Sequence, residues 1–152
     1  MKDHGPSIWV PPPLFFAVGI FGGWGLDRLV PLGTIPTSWK PVGLGLFFTG
    51  LLLCMVALAT MVGHRTSAVP HQPARTLVTS GLFRFSRNPI YLGFVFASLG
   101  IGIAAPNLWI LLLLPLVIWV FTVQVIGKEE RYLRERFGEA YERYCREVRR
   151  WL

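Results

Sequence analysis

Residues 41–63 read PVGLGLFFTGLLLCMVALATMVG, an apolar run without a charged side chain. A helix that crosses the hydrocarbon core of a bilayer needs about 20 mostly apolar residues, so this run predicts a membrane-spanning helix. Three other runs qualify in the same way, at about 14–31, 90–105 and 107–127. Because Ala105-Pro106-Asn107 predicts a tight turn, the last two helices should form a hairpin.

Charged residues are concentrated outside these runs. Hydrophobic residues make up 53% of the chain and charged residues 15%, whereas soluble domains carry roughly 25% charged residues. Of the 15 Lys and Arg, 12 lie in segments 64–88 and 128–152. Basic flanks stay on the cytoplasmic side, so we expect both segments and both termini to be cytoplasmic, in a bacterial inner membrane. The net charge of +7 then indicates membrane lipids as partners and no nucleic acid.

The segment after the fourth run predicts a cytoplasmic amphipathic helix over 128–150. Its apolar residues recur at the helical period, at Leu133, Phe137, Tyr141, Tyr144 and Val148. Glu130 falls on the same stripe, where a carboxylate needs a partner. Two interpretations stay open: an ion pair with an arginine of segment 64–88, or a role in binding a ligand. The whole chain, 1–152, is thus predicted to be one all-α membrane domain with four spanning helices.

Glycine and tryptophan positions add detail to this arrangement. Gly93, Gly100 and Gly102 in the third run should let a neighbouring helix approach closely, because small residues permit backbone contact. Trp39 and Trp109 should lie at the outer interface, where aromatic side chains collect.

The most informative stretch is TSGLFRFSRNPIYLG at 79–93, which leads into the third run. Asn88 is a good helix N-cap, and Pro89 pre-sets the first helical turn. A basic interfacial loop before a capped helix would explain this stretch taken alone. After the hairpin, residues 129–148 read EERYLRERFGEAYERYCREV.

Together the two stretches resemble the isoprenylcysteine carboxyl methyltransferase and phospholipid methyltransferase families. Their signature Arg-His-Pro-x-Tyr-x-Gly reads Arg-Asn-Pro-Ile-Tyr-Leu-Gly at 87–93. Their second signature, Glu-Glu-x-x-Leu-x-x-x-Phe-Gly-x-x-Tyr-x-x-Tyr-x-x-x-Val, is matched at 129–148. The resemblance spans about 75–151, half of the chain, and implies an integral membrane methyltransferase that uses S-adenosyl-L-methionine.

The resemblance also implies a cytosolic cofactor site, formed by the loop before the third run, the hairpin and the tail. The implied cofactor-binding residues are Arg75, Thr76, Leu77, Val78, Phe83, Arg87, Asn88, Pro89, Ile90, Tyr91 and Glu129. The implied catalytic residues are Glu129, Glu130 and Tyr91. A carboxylate can hold the cofactor's ammonium group or ribose hydroxyls, an arginine can hold its carboxylate, and an aromatic ring suits its sulfonium.

Three departures from the family pattern bear on the methyl acceptor. Asn88 replaces the usual histidine, a change associated with the phospholipid branch, and Phe83 replaces a tyrosine. Val125 stands where the carboxyl methyltransferases carry an arginine that grips the substrate carboxylate. Gln124 or Lys128 could substitute, but neither has the planar fork of arginine. The acceptor is therefore expected to be a lipid-like amphiphile from the bilayer, either a prenylated thiol-acid or a phospholipid amine.

The alternative is a small non-enzymatic membrane protein whose basic tail binds anionic lipid. Such a tail gains nothing from Glu129 and Glu130, whereas a cofactor pocket needs carboxylates. Methyl transfer to an acceptor requires orientation and a dry site, so no metal is expected. His4, His64 and His71 show no metal-ligand spacing.

Overall fold

The computed structural model describes residues 10–66 and 74–152, and all regular structure within them is helical. The helices are α1 (Pro12–Leu29), α2 (Lys40–Gly63), α3 (Pro89–Ala104), α4 (Leu108–Phe121), α5 (Gly127–Phe137) and α6 (Glu139–Glu147). Short 3-10 turns at Thr37–Trp39 and Gly81–Arg84 precede α2 and α3. A π-helical segment, Thr122–Ile126, joins α4 to α5, so the fourth helix runs past its predicted end at Gly127 without a break.

Within residues 10–66 and 74–152, two helical stretches are long and apolar enough to cross a membrane. They are Thr37–Gly63, of 27 residues, and Leu108–Phe137, of 30 residues. Large apolar side chains on them face outward, with 61% of Phe48 and 65% of Trp119 exposed. An apolar surface of this extent fits contact with lipid better than contact with water. The third apolar helix, α3, has 16 residues.

Helices α2 and α3 pack backbone against backbone through glycines. A Cβ at Gly50 would lie 2.5 Å from the carbonyl oxygen of Gly93, and one at Gly43 would lie 2.5 Å from the amide nitrogen of Ala104. Residue numbers rise along one helix as they fall along the other, so the pair is antiparallel. The close approach predicted at Gly93 and Gly100 is confirmed, since a Cβ at Gly100 would meet the backbone of α2.

The predicted hairpin between α3 and α4 is also confirmed. Asn107 caps α4 by accepting a hydrogen bond from the amide of Ile110 at 3.1 Å. Gly102 faces this hairpin partner, because a Cβ there would meet the side chain of Leu111. At the same end of the molecule, the Trp109 indole nitrogen donates to the carbonyl of Val30 at 2.7 Å.

The amphipathic tail, predicted as one helix, consists of two. Gly138 separates α5 from α6 with a φ of +51°, a left-handed conformation that glycine adopts without a steric penalty. The predicted apolar stripe survives this break as one cluster, in which Leu133 and Phe137 pack against the buried Tyr141, Tyr144 and Val148. From α6 the Tyr144 hydroxyl donates to the carbonyl of Phe83 at 2.7 Å, so the tail is attached to the loop before α3.

Candidate functional site

Tyr91 and Glu129 meet where α3 lies beside α5. The Tyr91 hydroxyl donates to Oε1 of Glu129 at 2.6 Å. The Tyr91 ring lies edge-on to Phe121, with centroids 4.7 Å apart, and Phe121 is fully buried. Within residues 10–66 and 74–152 no hydrogen bond reaches Oε2 of Glu129. The phenol therefore orients the carboxylate and leaves one of its oxygens available.

The π-helical segment before α5 shifts the helical register just ahead of the two glutamates. Val125 and Ile126 are neighbours, yet both are buried, at 1% and 0% exposure. Beyond this wider turn, Glu129 points to Tyr91 and Glu130 points to a pair of arginines. Single π turns inside α-helices often occur at functional sites.

Glu130 is 8% exposed and lies between two arginines. Arg150 forms a bidentate contact with it, from Nε to Oε1 at 2.8 Å and from Nη2 to Oε2 at 2.7 Å. Nη2 of Arg87 lies 3.4 Å from Oε1, so the ion pair predicted with an arginine of segment 64–88 is present. The hydrogen bonds to Glu130 raise the pKa of Arg150 above its ordinary value.

Asn88 occupies the N-cap position of α3, but its side chain does not cap the helix, so the predicted side-chain cap is wrong. Its Nδ2 instead donates to the carbonyl of Arg150 at 3.0 Å. Its own amide donates to the hydroxyl of Ser86 at 3.1 Å. A cap is less needed here because Pro89, at the first helical position, has no N–H group to satisfy.

The remaining predicted site residues surround this centre at different depths. Val78, Phe83 and Ile90 pack with Ala57 of α2 in one apolar cluster. The Phe83 ring is therefore part of the buried core. Leu77 packs against the tail cluster and Pro89 is fully buried, whereas Arg75 and Thr76 are exposed. The structure thus brings Tyr91 and Glu129 into direct contact, whereas Arg87 contacts Glu130, the chain neighbour of Glu129, and Asn88 contacts Arg150.

Two residues near this centre, Arg150 and Trp151, are not predicted from the sequence as site residues. Arg150 reaches Glu130 from twenty residues further along the chain, across the break between α5 and α6. Trp151 packs against the buried apolar cluster that contains Phe121, on which Tyr91 also packs. Arg150 and Trp151 follow the end of α6 at Glu147, and no helical spacing relates them to residues of α3, α4 or α5, so the pattern of the tail carries no signal for either contact.

Val125, the position of the absent arginine, lies in the core. It packs in a cluster with Phe16 and Phe121, while Gln124 and Lys128 beside it are exposed.

Metal ligation has no support in the part of the chain that the structure describes. No group of three His, Cys, Asp or Glu side chains there is placed to hold a metal ion. Of the three histidines, His4 and His71 lie outside the described residues. His64 is engaged locally, with Nδ1 2.8 Å from the carbonyl of Thr60 and Nε2 3.2 Å from the hydroxyl of Ser80.

Comparison with known proteins gives consistent matches. A sequence profile of the family described as phospholipid methyltransferase matches residues 39–140. The Schizosaccharomyces pombe protein named protein-S-isoprenylcysteine O-methyltransferase is 42% identical over 72 residues, which are 47% of this chain and 30% of that protein. An Oryza sativa subsp. indica protein named probable protein-S-isoprenylcysteine O-methyltransferase is 30% identical over 109 residues, 70% of this chain and 57% of that protein. The Xenopus laevis protein named protein-S-isoprenylcysteine O-methyltransferase is 32% identical over 114 residues, which are 73% of this chain and 40% of that protein.

The chain therefore spans from 30% to 57% of the length of these curated relatives. The profile match begins at the start of α2, ahead of the two signature stretches, and it includes the hairpin and α5. It covers more than half of the chain. On this match, the protein belongs to the phospholipid methyltransferase family.

Proposed function

We propose that this protein is a membrane methyltransferase that moves a methyl group from S-adenosyl-L-methionine to a membrane-embedded amphiphile. The observation that carries the proposal is the hydrogen-bonded pair of Tyr91 and Glu129. Both residues belong to the signature stretches, and Glu129 keeps one carboxylate oxygen available. The relatives whose names state a methyltransferase activity support the same function.

The chemistry of these residues fits the cofactor. Glu129 would hold its ammonium group or ribose hydroxyls, and the exposed guanidinium of Arg75 would hold its carboxylate. The ring of Tyr91 offers an aromatic face for a sulfonium. When bound, the cofactor supplies a methyl group on sulfur, and this carbon–sulfur bond breaks as an oxygen or nitrogen of the acceptor forms the new bond. Phe121, which packs edge-on against Tyr91, and Trp151, which packs against the same apolar cluster, would exclude water from the reacting atoms.

Membrane insertion through four spans completes the proposal. Helices α1 to α4 alternate in direction, because α2 is antiparallel to α3, α3 forms a hairpin with α4, and Gly19 and Gly23 of α1 lie against Val117 and Ile110 of α4. Alternation of this kind supports a topology in which the described parts of the two basic segments, 64–66, 74–88 and 128–152, share one side of the membrane. The exposed Trp39 lies at the opposite end, in keeping with a cytoplasmic site and an aromatic outer rim.

Labelling of single cysteines would test this topology. In a background with Cys54→Ala and Cys145→Ser, an impermeant thiol reagent should label Ser38→Cys on intact cells. Glu139→Cys, on exposed α6, should react only after the cells are opened. Labelling of Glu139→Cys from outside would contradict a cytoplasmic tail.

Two acceptor classes compete, each with its own support. The names of the relatives favour a prenylcysteine carboxylate. Position 125 favours a phospholipid amine, because it carries a valine that is buried at 1% exposure. No arginine guanidinium is present there to hold a substrate carboxylate. An amine acceptor must lose a proton, which Glu129 could accept as a general base.

A direct transfer assay separates these acceptors. Purified protein with labelled S-adenosyl-L-methionine is offered phosphatidylethanolamine and a farnesylcysteine analogue separately. Because the arginine is absent, we expect faster labelling of phosphatidylethanolamine. Efficient labelling of the farnesylcysteine analogue that persists in Gln124→Ala and Lys128→Ala would show that carboxylate recognition needs no arginine at position 125. A protein that binds no S-adenosylhomocysteine in a calorimetric titration would instead fit the non-enzymatic, lipid-binding alternative.

A further inference from the structure

Residues 148–151 form a non-helical segment after α6 that lies against the loop before α3, and we call it the strap. Backbone groups make the first connection, in three hydrogen bonds. The amide of Arg87 donates to the carbonyl of Arg149 at 3.0 Å, and Asn88 Nδ2 and the Ser86 hydroxyl donate to the carbonyl of Arg150 at 3.0 and 3.4 Å.

Side chains of the strap make a second connection, to the candidate site. Arg150 holds both oxygens of Glu130, the neighbour of Glu129 on α5. Trp151 packs against the buried apolar cluster that contains Phe121, the cluster on which Tyr91 also packs. The strap therefore contacts the neighbour of Glu129 and the apolar cluster behind Tyr91, without contributing to the Tyr91–Glu129 hydrogen bond.

Arg87, a residue of the loop before α3, makes a third connection through its side chain. Its side chain is 13% exposed, and its guanidinium contacts Glu130 and the sulfur of Cys145. Its Nε has no hydrogen-bond partner among the described residues. A buried arginine depends on its counter-ion, because removing one partner of a buried pair leaves an uncompensated charge. Glu130 is that counter-ion for Arg87 and also for Arg150.

We propose that Glu130 is a positioning residue that clamps the strap onto the loop before α3. By holding Arg87 and Arg150 together, it fixes Asn88 at the start of α3 and Trp151 on the apolar cluster against which Tyr91 packs. The inference rests on the proposed function and gives the two adjacent glutamates different tasks. Glu129 faces the cofactor, and Glu130 holds the strap that closes the site.

Substitution of Arg150 tests the clamp against a matched neighbour. Arg150→Gln breaks the bidentate contact, whereas Arg149→Gln removes the same charge from an exposed side chain and keeps the backbone carbonyl that Arg87 uses. In a calorimetric titration with S-adenosylhomocysteine, Arg150→Gln should raise Kd about fivefold or more, and Arg149→Gln by less than about twofold. Equal Kd values for the two variants would overturn the proposal.

Hydrogen exchange gives a readout that does not depend on cofactor binding. In Arg150→Gln, amides of residues 83–91 should exchange faster, while those of α2 keep the wild-type rate. Exchange over 83–91 at the wild-type rate would overturn the clamp, whereas a wild-type protein that binds no S-adenosylhomocysteine would overturn only the proposed function. Should Arg150→Gln fail to fold, Arg150→Lys, which keeps the charge but lacks the fork, replaces it. A Kd no higher than that of Arg149→Lys would then reject the proposal.

Discussion

Replacing Glu129 with alanine should weaken S-adenosylhomocysteine binding by about tenfold or more while the protein remains folded. The substitution removes the carboxylate that Tyr91 orients and that would contact the cofactor. A hydrogen bond to a charged group contributes roughly 1.5–3 kcal/mol, and about 1.4 kcal/mol corresponds to a tenfold change in affinity. Calorimetric titration of detergent-solubilised protein measures the change directly.

Two variants serve as controls for this result. Glu135→Ala removes an exposed carboxylate from the same helix and should leave the affinity unchanged. Tyr91→Phe keeps the ring against Phe121 but removes the hydroxyl, so the affinity should fall less than in Glu129→Ala. Unchanged binding in both Glu129→Ala and Glu130→Ala would reject the assignment of the cofactor site to the region of Tyr91 and Glu129.

A leucine at Gly50 should destabilise the contact between α2 and α3 severely. A Cβ there would lie 2.5 Å from the carbonyl oxygen of Gly93 and 2.6 Å from the amide nitrogen of Ala97. Both are backbone atoms that no rotamer change can move away. Overpacking of a tight interface costs about 1–3 kcal/mol or more, and lipid offers no hydrophobic driving force to compensate between helices. The thermal unfolding midpoint in detergent should fall accordingly.

The same helix offers a matched control in Gly45. A Cβ at Gly45 would meet nothing within 4 Å, so Gly45→Leu should keep or slightly raise the midpoint, because leucine is the better helix former by up to about 1 kcal/mol. Equal midpoints for Gly50→Leu and Gly45→Leu would show that the two backbones are not in contact there.

The amino-acid sequence by itself determined the apolar helices, the hairpin and the need of Glu130 for a partner. The length of an apolar run and the residues of a turn are local properties, so they can be read without knowledge of neighbouring elements. The glycines of α3 also predicted the close approach of another helix. Because glycine lacks a Cβ, this property too can be read from the residue itself. A carboxylate on an apolar stripe required a partner, either an arginine or a ligand, and in the structure Arg87 is one such partner.

Only the tertiary structure decided how the two adjacent glutamates divide between Tyr91 and the arginines. A π turn at Thr122–Ile126 shifts the register of the helix, and hydrophobic periodicity calculated for a regular helix does not reveal such a shift. The break at Gly138 and the pairing of Arg150 with Glu130 depend on how α6 and the segment after it fold back onto α5 and the loop before α3. These contacts join residues far apart in the chain. They form only when the separate segments pack together, so no local segment of the sequence predicts them.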